Sequence, residues 1–322
     1  MKIVIIGVYF GSFPDNMPLW LKSCSFNPRI DFLIFTDQVL SKLPNNVRTI
    51  EMTLKEFSEL AARKLKIKEI DIKRPYKCCD FKPVYGVIFN NYIKQYDYWG
   101  HCDFDLIFGD VLANIDDDAW GRYDKILPLG HLSFYKNTEE VNSRYKLESL
   151  TANHEEVFTN DKPYAFDEFN GVMNIYERNK FPFYKERVFA DIDSIYKRFR
   201  LSQKKGYYND RNYKHQVFYW EDGRVFRTFI NEGRVEQEEY AYIHFKKRKD
   251  LPIKIKDLDG CERFFVTRYG FIEKDATGKP TKHEIKTLNP YYGCLIEKYE
   301  YIRFRFNNMM RKIKRIVSCK KN

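Results

Sequence analysis

Residues Lys2-Ile3-Val4-Ile5-Ile6-Gly7-Val8-Tyr9-Phe10 form a short, continuously apolar, β-branched run that Gly11, Pro14 and Asp15 terminate. A run without polar alternation reads as a strand buried on both faces, the condition of a parallel sheet covered by helices. Ile30–Phe35 repeats the pattern and ends in Thr36-Asp37, and Val47–Met52 offers a third strand. Thr53–Lys66 then carries Leu54, Phe57, Leu60, Ala61 and Leu65 at helical spacing, with Thr53 placed to cap the helix. Pro83 opens a second predicted helix bearing Val84, Val87, Ile88 and Tyr92, because the fixed φ of proline suits a first turn. The strand-like Tyr96–Trp99 leads into His101–Phe108. The alternation is β-α-β, so the first half predicts a nucleotide-type α/β domain. Its strand ends, Thr36-Asp37 and Asp103–Asp105, would meet at one crevice.

Beyond about residue 125 the pattern loosens into short strand candidates at Lys125–Leu129, Val172–Ile175 and Tyr240–Phe245. With no repeat of fixed period and no Gly/Ser-rich linker, residues 1–250 read as one domain with halves 1–125 and 126–250. Residues 251–301 are a C-terminal elaboration, and 302–322 a basic tail.

The charge balance sharpens once it is divided along the chain. The 322 residues carry a formal net charge of +11, which by itself suggests a nucleic acid or another polyanion. Ile302–Asn322 holds eight Lys and Arg and no acid, so removing the tail's +8 leaves +3 for the other 301 residues. The body is close to neutral, which argues against a nucleic-acid partner. In the tail, Ile302, Phe306, Met309, Met310, Ile313, Ile316 and Val317 fall on one helical stripe. Such a helix suits an anionic membrane surface, or it docks on the protein's own core. A hydrophobic fraction of 43% excludes a disordered chain. The uncharged stretch Ile3–Pro14 is far below the roughly 20 residues that cross a bilayer and lacks a small-residue cleavage site. A cytoplasmic protein without a signal peptide is therefore expected. Seven cysteines without a repeated CxxC spacing read as reduced thiols.

Four segments could carry chemistry. In Asp103-Phe104-Asp105 the two carboxylates point the same way on an extended chain, and a strand end seldom buries two negative charges without a cation. Mg²⁺ or Mn²⁺ would supply one. The pattern alone is weak, since Asp191-Ile192-Asp193 matches it by chance and Asp116-Asp117-Asp118 reads as a solvated turn. Arg74–Pro83 crowds Arg74, Lys77 and Lys82 near a helix start, as an anion site or as a surface loop. Tyr240–Arg248 alternates into His244 and a basic cluster, although a lone histidine on an apolar strand is more often a satisfied core residue. Asp167-Glu168 are adjacent carboxylates among aromatics, a setting that raises a pKa towards that of a general base or marks an ordinary turn.

Taken in order, Thr36-Asp37, Lys77–Pro83, Asp103–Asp105, Gly130-His131, Asp167-Glu168 and His244–Arg248 resemble a family of bacterial capsule and O-antigen glycosyltransferases with a GT-A-like fold, a Rossmann-like mixed sheet flanked by helices. The resemblance spans residues 1–250, with 126–250 as the acceptor half. It implies that Asp103, Asp105 and His244 hold Mn²⁺ or Mg²⁺ on the diphosphate of a nucleotide sugar. It further implies that Val8, Tyr9, Thr36, Asp37, Lys77, Asp80, Lys82, Asp103, Lys246 and Arg248 bind that donor, a UDP-sugar. Gly130 and His131 would face the acceptor, and Asp167 or Glu168 would be the base. The implied reaction moves a hexose, galactose in pyranose or furanose form, to a lipid-linked saccharide at the inner face of the membrane, with inversion. A sugar nucleotidyltransferase is a second reading, although no Gly-rich loop follows the first strand. A non-enzymatic polyanion binder is a third.

Overall fold

The computed structural model describes residues 1–70, 72–204, 207–246, 248 and 251–319, the side chains of 312 and 314–319 excepted. The strands in chain order are β1 (Ile3–Tyr9), β2 (Ile30–Thr36), β3 (Val47–Glu51), β4 (Tyr98–Cys102), β5 (Leu106–Phe108), β6 (Lys125–Ile126), β7 (Leu132–Lys136) and β8 (Phe183–Tyr184). They continue with β9 (Phe189–Asp191), β10 (Gln216–Glu221), β11 (Arg224–Asn231), β12 (Arg234–Tyr240), β13 (Tyr242–His244), β14 (Ile253–Lys254), β15 (Arg263–Thr267) and β16 (Gly270–Glu273).

The main sheet runs β3-β2-β1-β4-β7-β6-β8. β1, β2, β3 and β4 are parallel, whereas β7 turns antiparallel to β4. This is a mixed α/β sheet flanked by helices, as the alternation predicts. Successive residues of β1 feed opposite cores: Ile3 and Ile5 pack with Trp20, Phe32 and Phe108, while Val4 and Ile6 pack with Phe35, Phe57, Phe81 and Phe89. Burial on both faces is why the strand carries no polar alternation. Tyr9 pairs with Thr36 in register, so the carboxyl ends of β1 and β2 open side by side next to the exit of β4.

A small sheet, β5-β13-β9, hangs below that exit. In it His244 stands between Leu106 on one side and Asp191 on the other. A six-stranded sheet, β12-β11-β10-β15-β16-β14, supplies the rest. β15 pairs directly with β10, so β14, β15 and β16, which lie in the stretch read as a C-terminal elaboration, join a sheet begun at residue 216.

Several local expectations are corrected. Helix Leu54–Leu65 forms with Thr53 and Glu56 in a reciprocal capping box, as the spacing indicates. The helix expected from Pro83 starts earlier and is broken: a 3₁₀ segment at Pro75–Val84 precedes short turns at Tyr85–Ile88 and Asn90–Ile93. Val172–Ile175, expected as a strand, is wound into the helical turns Phe169–Met173 and Asn174–Arg178. β-Branched residues there serve burial, and tertiary context overrides propensity. Helix Met17–Ser25, which packs Trp20 into the core, was not anticipated. Cys24, Cys78, Cys79, Cys102, Cys261 and Cys294 are unpaired thiols.

Candidate active site

The site forms where β4 ends and β5 begins. Between them Asp103 and Asp105 flank Phe104, whose ring sinks inward against Tyr9, Phe13 and Trp20. The strand period of two then turns both aspartates the other way. Their backbone is pinned: Asn16 Nδ2 donates to the Phe104 carbonyl at 2.8 Å, Trp20 Nε1 to that of Asp103 at 3.3 Å, and the Asp103 amide to the His131 carbonyl at 2.9 Å.

His244 approaches from β13. Its Nε2 lies 3.3 Å from Asp105 Oδ1 and 3.9 Å from Asp103 Oδ2. Its Nδ1 donates to Asp191 Oδ1 at 2.9 Å, and the second oxygen of Asp191 meets Lys246 Nζ at 2.6 Å. Burial opposes a charge on His244, yet Asp105 and Asp191 carry its pKa up to about 10. Burial likewise opposes ionisation of Asp191, and His244, His131 and Lys246 hold it well below the carboxylate range.

Asp103, Asp105 and His244 each offer a ligand atom, all within 4.8 Å of one another. The set of two half-buried carboxylates and one imidazole nitrogen fits a hard divalent cation. His131, Asp191 and His244 also cluster, but Asp191 is buried and already engages His244 and Lys246. The first group is the better cation site, with Asp191 orienting the histidine. Asp191 is the residue of this candidate site that the sequence does not single out, because its D-x-D match reads as chance.

Lys82 is the second hub. Its ammonium, buried, reaches Asp103 Oδ1 at 2.5 Å, the Gly130 carbonyl at 2.9 Å and Asp167 Oδ2 at 3.1 Å. Burial works against the charge, but Asp103 and Asp167 outweigh it and hold Lys82 well above the usual lysine range. Burial raises Asp167 to about 6 against the pull of Lys82, and burial together with Asp167 raises Glu168 to about 7. Asp167 is committed to Lys82, and a Cβ on Gly130 would lie 2.3 Å from its Oδ2. Glu168 is half-buried beside it. The backbone that presents the pair is wound tightly: Ala165 has φ +52°, and Gly171 leaves no room for a Cβ against the Phe166 carbonyl.

The remaining expected residues are distributed as follows. Lys77 and Asp80 form a buried ion pair at 2.8 Å. Lys77 also donates to the carbonyls of Val157 and Lys162, and Asp80 accepts the amides of Tyr164 and Phe166. The Lys77 ammonium and the accepting oxygens of Asp80 are spent on shaping the loop that leads to Asp167. Arg248 turns away to the carbonyls of Asp193 and Tyr196, over the Phe199 ring. The intervening Lys247 lies outside the described residues. Gly130 and His131 are buried under the site rather than open to an acceptor; His131 Nδ1 and the Tyr242 hydroxyl are 2.8 Å apart, and its ring lies over that of His244. At the other end of the crevice Asp37 accepts the Gly11 amide at 2.9 Å, which lowers its pKa, while Tyr9 and Val8 are half-exposed and Thr36 is buried. Asp116–Asp118 are exposed in a turn, as read from the sequence.

Among solved structures the chain is similar to mouse xyloside xylosyltransferase 1 in its apo form, at 9% identity and a TM-score of 0.42, with 78% of this chain and 100% of that chain covered. No curated protein matches its sequence. A family model matches residues 5–275, and the chain belongs to that family of unknown function, DUF6625.

Proposed function

We propose that the protein is a divalent-cation-dependent glycosyltransferase that takes a hexose from a nucleotide diphosphate sugar, a UDP-sugar, and passes it to a saccharide hydroxyl. The observation that carries the reading is the convergence of Asp103, Asp105 and His244, from two different strand ends, beside two carboxylates whose proton affinity is raised. Asp103, Asp105 and His244 would hold Mn²⁺ or Mg²⁺. When bound, the ion offsets negative charge on the leaving nucleoside diphosphate. Asp191 keeps the imidazole in one orientation. Tyr9, Val8 and Asp37 line the nucleoside end, and Lys246, tethered to Asp191, supplies positive charge toward the phosphates. Lys82 spans Asp103 and Asp167, fixing the donor side against the base side.

Glu168 is the general base in this scheme. Its carboxylate takes the proton from the acceptor hydroxyl as that oxygen attacks the anomeric carbon, and the bond to the diphosphate breaks, with inversion. A pKa near 7 suits a base working near neutral pH. The acceptor we favour is a lipid-linked saccharide of cell-surface polysaccharide assembly, and galactose, pyranose or furanose, is the first donor to try.

The test is hydrolysis of a panel of nucleotide sugars with and without Mn²⁺. Turnover of at least one donor only with the cation supports the reading; no turnover of any donor, together with thermal stabilisation by an oligonucleotide but not by UDP plus Mn²⁺, overturns it. If Asp167→Asn and Glu168→Gln both keep wild-type transfer rates, the base assignment fails.

A further inference from the structure

The C-terminal helix, Cys294–Cys319, runs for 26 residues, about 39 Å at 1.5 Å per residue. Among the described residues, its hydrogen bonds to the body fall on one side. Glu297 accepts from Arg198 Nε at 2.9 Å and from Arg200 at 2.7 Å, and Glu300 accepts the Lys197 amide at 3.3 Å. One turn on, Phe304 is half-buried on the same side.

The apolar stripe faces the other way. Leu295, Tyr299, Ile302, Phe306, Met309 and Ile313 fall within about 80° of arc at 3.6 residues per turn, opposite Glu297, Glu300 and Phe304. All six are exposed, Leu295 by 77%, Ile302 by 64% and Phe306 by 54%. Packing on the protein's own core, one of the two readings of the tail sequence, is therefore not how the stripe is used up to Ile313; the side chains of Ile316 and Val317 lie outside the described residues. Lys298 and Arg305 flank it on one side and Arg303 on the other, all exposed. The helix's two acids are both turned to the body, and beyond Glu300 the sequence holds bases and no acid. No helix among the described residues is long and apolar enough to cross a membrane.

We propose that this helix lies in the interface of an anionic phospholipid bilayer, stripe inward, with Lys298, Arg303 and Arg305 reaching the headgroup phosphates. The charge pattern selects this occupant over a second copy of the chain. Two copies meeting stripe to stripe would oppose basic flanks with no acid left to pair them, whereas an anionic leaflet complements both flanks. The surface would hold the crevice near a lipid-linked acceptor, so the inference extends the proposed function. It is measured without any donor, and its failure would leave the donor test standing.

The experiment is co-sedimentation of the full chain with phosphatidylcholine vesicles, and with vesicles in which about a third of the lipid is phosphatidylglycerol. Wild type is expected to sediment with the anionic vesicles alone, and less at high salt. Ile302→Asp with Phe306→Asp, and separately Arg303→Glu with Arg305→Glu, should each cut the bound fraction by roughly tenfold. Because these side chains are exposed, thermal melts of the variants should match wild type. Wild type left in the supernatant, or variants that bind as well as wild type, would overturn the proposal. So would sedimentation equilibrium showing a dimer that the Ile302/Phe306 variant dissolves.

Discussion

Phe104 packs its ring against the bare Cα of Gly7, where a Cβ would stand 2.6 Å from the ring's Cζ. The glycine in an otherwise β-branched strand is thus the receptacle for the residue between the two aspartates, and it sets how far Asp103 and Asp105 project. Gly7→Ala should push Phe104 outward and carry both aspartates with it. We expect a loss of about 1–3 kcal/mol in unfolding free energy from overpacking. Weaker Mn²⁺ binding by calorimetry should accompany it, and Phe104→Leu in the same chain should restore part of both.

Lys82 is the buried cation between two carboxylates, so its removal leaves Asp103 and Asp167 facing each other uncompensated. Lys82→Met should cost about 3 kcal/mol, the scale for breaking a buried ion pair by one partner. Adding Asp167→Asn should recover part of that loss, because one of the stranded charges is then gone. Urea unfolding of the three chains checks the order.

Sequence reasoning reached the parallel β1-β2-β4 arrangement because strands buried on both faces leave an unbroken apolar signature. It named Asp103, Asp105 and His244, whose ligand atoms the fold brings within 4.8 Å of one another, through the order of motifs rather than through any one of them. It failed where a side chain's role depends on distant pairing. Lys77 and Asp80 sit in the same cationic segment as Lys82, and nothing local distinguishes a lysine that reaches the crevice from one that closes a loop. Asp191 is two residues from a second aspartate and looked accidental; only the β13–β9 pairing brings it behind His244. The meander β10–β12 went unread because its inward face is aromatic and its outer strand is charged, as in Arg234–Tyr240, so no clean alternation survives.

The carboxylates of the base loop predict a pH dependence of defined sign. With Glu168 as the proposed base, kcat/KM for the acceptor should rise with pH and level off above about 7, and Glu168→Gln should abolish that limb. Stability should move oppositely on the acid side. The folded chain holds the Glu168 proton more tightly than the unfolded one, so this contribution is present below the ordinary value of 4.5 and is lost as pH rises through about 7. Lys125 adds the alkaline side: buried against Ser133 Oγ and the Leu127 carbonyl, its pKa is lowered from 10.5 to about 7. The folded chain binds that proton less tightly, so stability from this group rises between those values. His244, raised from 6.5 to about 10, loses its contribution over much of the same range, so each effect is read by difference. In denaturant unfolding, wild type should lose stability relative to Glu168→Gln as pH rises from 4.5 to about 7, and gain stability relative to Lys125→Met from about 7 to 10.5.

Asp191 holds, through Nδ1, the histidine whose Nε2 faces Asp103 and Asp105. With its Nδ1–H donated to Asp191, the imidazole ring is held in the rotation that aims Nε2 at both aspartates. Asp191→Ala leaves all three candidate ligands in the chain but frees the ring and releases Lys246. Mn²⁺ affinity should fall about 10–100-fold, the usual effect of removing such a partner. His244→Ala should fall at least as far, and the Asp191→Ala/His244→Ala pair no further than His244→Ala alone. Calorimetric titration of the four chains with Mn²⁺ decides it: additive losses in the double variant would mean that Asp191 acts through the fold at large and not through His244.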